Sequence, residues 1–331
     1  MAIELYQPLD ADFKSKIQTL ESPDQDNLHN RILRCTNNMS QGCIAGVYIT
    51  TNESNVDESR IALVRKPKIA HACHIGFSGW HNFDIMASRH SEYGLICDFN
   101  PNNKKFIEMT LFALKSTRSR KEFLEKMMMA TDRIAQVFDF FSPNVSKNFD
   151  GYEELLLPSE EILSNARQEG SWLFSDGAFN YIKQLALDDK ITAVTEDIRN
   201  TETFQKLVKL FHEEGLTIDT VYTSNICDYM HTNADKEAYV STIYSLIEPQ
   251  TTLIHCPIDR SVRLQQQVVL GGELLKNRED ISGFFKSTIV EDDDIDSIGS
   301  SRELVYSPDD LLEEQDDIFF DALTSQNSLA E

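Results

Sequence analysis

Short apolar runs alternate with amphipathic helical stretches through the middle of the chain, and this alternation limits the folds open to it. IAHACHIG (69–76) ends in glycine, and HNFDIMASR then sets Phe83, Met86 and Ala87 on one helical face. YGLICDFN (93–100) is a second run, its apolar part closed by Asp98. KITAVTEDI (190–198), LTIDTVYTSNI (216–226) and TTLIHCP (251–257) continue the series. Between them, apolar residues step by three and four, as in Phe204, Leu207, Val208 and Phe211, and again in Tyr239, Ile243 and Leu246. Asn200 or Thr201 can cap the first of these helices and Gly215 can end it. Parallel neighbours need long crossovers, usually helical, so at least five strands spaced in this way predict a doubly wound, mostly parallel α/β sheet.

The rhythm is interrupted once. Phe123, Met127, Ala130, Ile134, Val137 and Phe141 mark a long helix that SPNVSKNFDG (142–151) breaks, so a helical insert is expected between the second and third strands. Met127–Met129 belong to that helix and read as core packing. Gly271-Gly272 reads as a turn between a strand and a helix. The expected organisation is a helical and loop-rich lead over 1–60, the α/β domain over 61–290, and a tail over 291–331.

Charge separates the tail from the rest. The chain of 331 residues carries a net −23; Glu291 to Glu331 hold 14 acids and one base (−13), leaving −10 for residues 1–290. Such a segment is expected to be disordered. Within it, Ser307-Pro308-Asp309-Asp310 has the signals of a helix start, and Leu312, Phe319 and Leu323 share a face. A docking helix over 308–323, covered by a protein partner or by the body, is expected there. General nucleic-acid binding is not expected, because the basic runs RKPK and RSRK are short. No run reaches the ~20 apolar residues of a membrane span, and MAIELYQPLDADF lacks the regions of a signal peptide. The six cysteines are scattered without a CxxC pair and read as reduced, buried thiols of a cytoplasmic protein.

Ligands of a doubly wound sheet bind beyond the carboxyl ends of the strands, where the strand order reverses. The candidate site residues follow from that rule. Gly76 and Gly79 let a backbone turn approach a ligand, unless they only serve the turn itself. Asp98 can accept from a ribose diol. Asp197 can receive an adenine amino group, or merely cap the next helix. Ser224 and Asn225 end the fourth strand of the sheet and face the same crevice, or close a turn. His81 beside the glycine turn is the candidate general base. His71, His74, His81 and His90 do not make a metal site, since His71 and His74 would project from opposite faces of a strand. A serine hydrolase is not expected without a G-x-S-x-G elbow.

The series GFSGWHNF, CDFNPNN, GSWLFSDGAFNYIKQLALDDKI, VTEDIRNTETFQKL and TVYTSNICDYM, spanning roughly 65–260, resembles a little-characterised bacterial family with a class I S-adenosylmethionine-dependent methyltransferase-like fold. The resemblance implies a Rossmann-like methyltransferase-type core. The family's ordered motifs, a Gly turn with an Asn-Phe pair, an Asp-ended strand, a Trp-containing segment and a Ser-Asn strand end, fall here on Gly76, Asn82-Phe83, Asp98, Trp172 and Ser224-Asn225. Together with the strand-end rule they give S-adenosylmethionine as the expected cofactor, held by Gly76, Gly79, Asp98 and Asp197. A small-molecule or protein acceptor would lie near Ser224 and Asn225, with Trp172 as a stacking wall and His81 or Asn225 serving the chemistry. The segment before Gly76 (Cys73-His74-Ile75) has no acid, which is the departure that keeps a second function open: a non-catalytic binding or scaffolding module of the same fold. The tail's EEQDD and terminal SLAE are similar to C-terminal signals of effectors translocated by bacterial type IV secretion systems, implying delivery into a host cell without a signal peptide.

Overall fold

The computed structural model describes residues 12–21, 46–137, 140–141, 145–147, 153–230, 232–257 and 264–276. The acidic tail, the expected helix over 308–323, Cys35 and Cys43 lie outside the described residues.

The first elements are helix α1 (Phe13–Gln18), helix α2 (Val56–Arg65), strand β1 (Ala72–Phe77), helix α3 (His81–Arg89) and strand β2 (Tyr93–Asp98). The expected insert follows as α4 (Pro101–Ser116), α5 (Arg120–Val137), the short strands β3 (Val145–Lys147) and β4 (Glu153–Leu155), α6 (Pro158–Arg167) and α7 (Asp176–Leu187). The α/β order then resumes with β5 (Ile191–Thr195), α8 (Thr201–Glu213), β6 (Thr217–Ser224), a single 3-10 turn over Ile226–Tyr229, α9 (Asn233–Leu246), β7 (Thr252–His255), β8 (Gln267–Leu270) and α10 (Gly271–Lys276).

Six strands form the main sheet in the order β5-β2-β1-β6-β7-β8, with β3 and β4 forming a separate antiparallel pair. The pairs β2–β5, β1–β2, β1–β6 and β6–β7 are parallel, and β8 runs antiparallel to β7. The strand order reverses between β1 and β6, which defines the switch point. β1 and β5 are buried along their whole length, as strands covered on both faces must be. One face carries Trp80, Phe83, Met86, Phe106, Phe123, Trp172 and Phe179, from the start of α3 and the insert. The other packs Phe13, Ile17, Phe204, Leu207, Phe211, Tyr239 and Ile243, from α1, α8 and α9.

Local chemistry sets the helix starts. Asn100 caps α4 by accepting from Asn102 N, with Pro101 at the first helical position. Ser175 caps α7, Asn200 caps α8, and Thr232 with Asp235 forms a capping box on α9.

Two sequence expectations are revised. The boundary after residue 60 falls inside α2, and Phe13 and Ile17 are core residues, so the described parts of the lead belong to the domain. His71 precedes β1 in a left-handed conformation (φ 55°) instead of lying on the strand.

Candidate functional site

A strap formed by residues 46–55 runs over the carboxyl ends of the central strands. Val47 N donates to Phe140 O and Trp80 N to Ile49 O, while Ser54 bridges to Gln265 at the far end. Beneath the strap, Ser78 after β1 and Ser224 at the end of β6 both adopt positive φ (71° and 52°). Left-handed non-glycine residues at adjacent strand ends are held there only by well-determined surroundings.

The surroundings of the glycine turn are the protein itself. Asn82 donates from Nδ2 to the carbonyls of Phe77 (2.9 Å), Ser78 (3.2 Å) and Gly79 (2.8 Å). Its Oδ1 is therefore the acceptor for His74 Nε2 at 3.0 Å, and His74 Nδ1 accepts from the Thr220 hydroxyl at 2.8 Å. Burial pushes the His74 pKa down to about 4, which keeps this tautomer neutral. A Cβ on Gly76 would lie 1.8 Å from Asn82 Oδ1 and 2.6 Å from His74 Nε2. A Cβ on Gly79 would lie 2.0 Å from the Tyr48 carbonyl oxygen. Both glycines make room for the chain's own atoms, which is the turn-serving alternative of the two readings that the sequence leaves open.

The other expected cofactor residues divide. Asp98 sits half-buried at the end of β2 and accepts from the backbone N–H groups of Ser78, Phe99 and Asn100. Burial outweighs those bonds, and with the charge of Asp197 nearby its pKa is pushed up to about 7. The Asp197 carboxylate is gripped by Arg199 (2.6 Å from Nη2), which also reaches Asp235 at 2.8 Å. Asp197 is thus engaged by the chain's own arginine. Trp172 is fully buried, edge-on to Trp80 and Phe83, and cannot be a stacking wall for a ligand. Asn225 precedes the 3-10 turn and donates to Asp228 at 3.1 Å. The Ser224 hydroxyl donates to Glu53 of the strap.

Open space lies on the other side of α3. A polar cleft of about 70 Å³ is bounded by the strap, α2, the first turns of α3, residues 165–171 and Gln266. That is room for several waters or a small ligand. His81 stands in its wall, with Nδ1 3.1 Å from Asp84 Oδ2 and Nε2 2.8 Å from Gln266 Nε2. Asp84 Oδ1 accepts from Trp172 N at 2.8 Å, which fixes the carboxylate. Glu53 accepts from Tyr222 Oη (3.0 Å), Ser224 Oγ and Gln266 Nε2.

The direction of these bonds follows from their partners. A carboxylate can only accept, so the Gln266 atom facing Glu53 is its nitrogen, and the same NH2 donates to His81 Nε2. The neutral imidazole then carries its proton on Nδ1, toward Asp84. Burial disfavours the charged imidazole, but the bond to Asp84 and the charges of Asp84 and Glu53 outweigh it and raise the His81 pKa above the usual value. Protonation makes Nε2 a donor, and Gln266 must then turn its amide and release Glu53.

Of the residues expected from sequence, the structure brings His81 and Ser224 to the network around this cleft and leaves the others at the turn, in the core or in ion pairs. Glu53, Asp84 and Gln266 were not singled out. Asp84 was recoverable from its i, i+3 spacing to His81 on a helix, whereas Glu53 and Gln266 lie in irregular segments far apart in sequence and carry no local signal. Among the described residues, no group of three or more His, Cys, Asp or Glu could hold a metal ion, and no helix is long and apolar enough to cross a membrane. Among curated proteins, none matches this sequence. Residues 48–263, more than half of the chain, match a family from within the strap through β7, taking in Glu53, His81 and Asp84 and stopping short of Gln266: the protein belongs to the family described as Domain of unknown function (DUF7790).

Proposed function

We propose that this domain is a binding module that takes a small polar molecule in the cleft beside His81. The observation that carries this reading is the contrast in accessibility around α3. The glycine turn is filled by Asn82, His74 and Tyr48, while His81, held at both ring nitrogens, borders unfilled polar space. Ligand pockets place a few fixed polar groups in a concave surface, and this cleft has them in His81, Asp84, Glu53 and Gln266. Binding is favoured over turnover because the Ser224 hydroxyl is committed to Glu53 and His81 Nε2 to Gln266.

A second reading, the methyltransferase-like enzyme, is favoured by one feature. Asp98 ends β2, beside the switch point of a doubly wound sheet, and its carboxyl has a pKa of about 7. In that reading S-adenosylmethionine binds over Ser78 and Asp98, and the strap must move off Gly79 to admit it.

One titration tests both. Imidazole and backbone NMR signals are followed while S-adenosylmethionine and a panel of small polar molecules are added. The binding-module reading expects at least one small molecule to shift the His81 ring signals, and a His81→Phe variant to lose the response. Shifts produced by S-adenosylmethionine at Ser78 and Asp98, abolished by Asp98→Ala, would replace it with the methyltransferase reading.

A further inference from the structure

Two residues that line the cleft each carry one buried polar atom without a hydrogen-bond partner, and the two atoms are of opposite kind. Gln266 is almost fully buried (3% exposed), its nitrogen is used by Glu53 and His81, and its carbonyl Oε1 has no donor. Arg60 Nε, from α2, is a buried N–H without an acceptor. Arg60 lies across Gly170, where φ is +92° and a Cβ would stand 2.2 Å from Nε, so the backbone of the 165–171 segment holds the guanidinium stem in place. An unmet buried donor or acceptor carries a desolvation cost, and a molecule that supplies both partners relieves it.

The charges give the ligand its polarity. Glu53 and Asp84 flank the Gln266 wall, and Asp57 and Glu169 also line the cleft, against Arg60 as the permanent cation among the lining residues. Arg60 Nη2 stands 3.6 Å from Asp57 Oδ1, a loose pair with Asp57 well exposed. A polyanion is repelled by four carboxylates, and a purely apolar molecule leaves both orphan atoms unmet.

We infer that the cleft takes a small molecule of the amino-acid class, with an ammonium group donating to Gln266 Oε1 beside Glu53 and Asp84, and a carbonyl or carboxylate oxygen accepting from Arg60. The inference rests on the binding-module reading and adds the ligand's chemistry to it. The ammonium is stabilised by acids that already lie in the wall, and the oxygen is placed by a guanidinium that cannot lose its proton. Both contacts are charge-assisted.

The test uses the full chain and four probes in NMR titrations run at one pH on each side of the His81 titration, because Gln266 Oε1 is open to an ammonium only while His81 is neutral: glycinamide, propionamide, propionate and inorganic phosphate. Glycinamide has the ammonium and the carbonyl; propionamide replaces the ammonium with methyl and leaves the rest. Molecules this small bind weakly even in good sites, so millimolar titrations are required. The expected result is that glycinamide shifts signals of Gln266, Arg60 and His81. Propionamide should bind about ten-fold more weakly or worse, the scale of one hydrogen bond to a charged group. Gln266→Met and Arg60→Met should each weaken glycinamide without removing the fold, read from the dispersion of the remaining signals.

Equal binding of propionamide and glycinamide would overturn the ammonium assignment and leave the binding module standing. Preferential binding of propionate or phosphate would overturn it in the same way. Glycinamide that leaves the cleft signals unmoved overturns the inference outright, and the wider panel then decides the module reading separately. Unaltered glycinamide affinity in both variants would show that the two orphan atoms are not the contacts.

Discussion

His81 and Asn82 are neighbours on the first turn of one helix, yet they serve two regions with opposite character. Asn82 points into the strand ends, where its amide donates to three carbonyls and accepts from His74, which is held in turn by Thr220. His81 points the other way, into a wall with unfilled space beside it and two unpartnered polar atoms nearby. The difference teaches where a doubly wound domain keeps its adaptable surface. A strand end with a glycine turn is a ready place for a ligand, but here the strap has taken that place, and the open side is the one the strap and α2 build together.

The largest effect is expected at the closed side. Gly76→Ala forces a methyl into Asn82 Oδ1 and His74 Nε2, and neither can move without freeing buried polar groups. A loss of roughly 3–5 kcal/mol is expected by urea denaturation, near the upper end of single substitutions. A loss below ~1 kcal/mol would mean that the turn has slack, and the contrast drawn above would fail at its first step.

Next comes pH, where the two regions have opposite signs. His74 has a folded pKa of about 4, below its ordinary 6.5, so the folded state disfavours its proton. Its contribution is fully present above pH 6.5 and is lost as pH falls toward 4, at most about 3 kcal/mol for a shift of this size. His255, also buried with a pKa of about 4, adds in the same direction. His81 is shifted upward, so its contribution is present below 6.5 and is lost as pH rises through its raised folded value. Imidazole NMR titrations read each directly. If His74 titrates above His81, the assignment of closed and open regions is reversed.

The fold was legible because its signals are periodic. Runs such as YGLICDFN and the three-and-four steps of α8 and α9 survive any tertiary detail, and the long insert announced itself by its own helical face. The site was legible only in part. Strand ends could be placed, so Gly76, Asp98, Asp197 and Ser224 were found at the carboxyl edge. What sequence did not carry was occupancy: Gly79 reads the same whether a cofactor or the Tyr48 carbonyl lies against it. Arg199, two residues past Asp197, closes on it through side-chain geometry that spacing leaves open. Trp172 is uninformative in the same way, since a tryptophan beside a loop serves a core as readily as a ligand. Glu53 and Gln266 meet across 213 positions, a separation no local pattern records.

A second substitution couples the two regions. Gly79→Ala presses on the Tyr48 carbonyl, and the strap that carries Tyr48 also carries Glu53 into the cleft wall. The expected cost is about 2–3 kcal/mol. Cleft residues should report it as well, with the His81 ring signals moving although residue 79 lies on the far side of the helix. A stability loss confined to the turn, with His81 unmoved, would show that the strap does not transmit between the regions.

The smallest stability effect is expected at His81 itself. His81→Gln removes the imidazole but keeps an amide that can meet Asp84 or Gln266, and the adjoining space lets water satisfy whatever remains. The change in unfolding free energy should stay within about 1 kcal/mol, the usual scale of one neutral hydrogen bond in a wetted site. The alkaline loss assigned to the raised imidazole should vanish in the variant, while the acid loss from His74 stays. Ligand response should vanish with it. A matched His74→Gln variant, in a region with no room for water, should cost several times more. Equal costs at the two histidines would mean that His81 is as structural as His74, and the cleft beside it would then be a gap in the packing with no ligand to explain it.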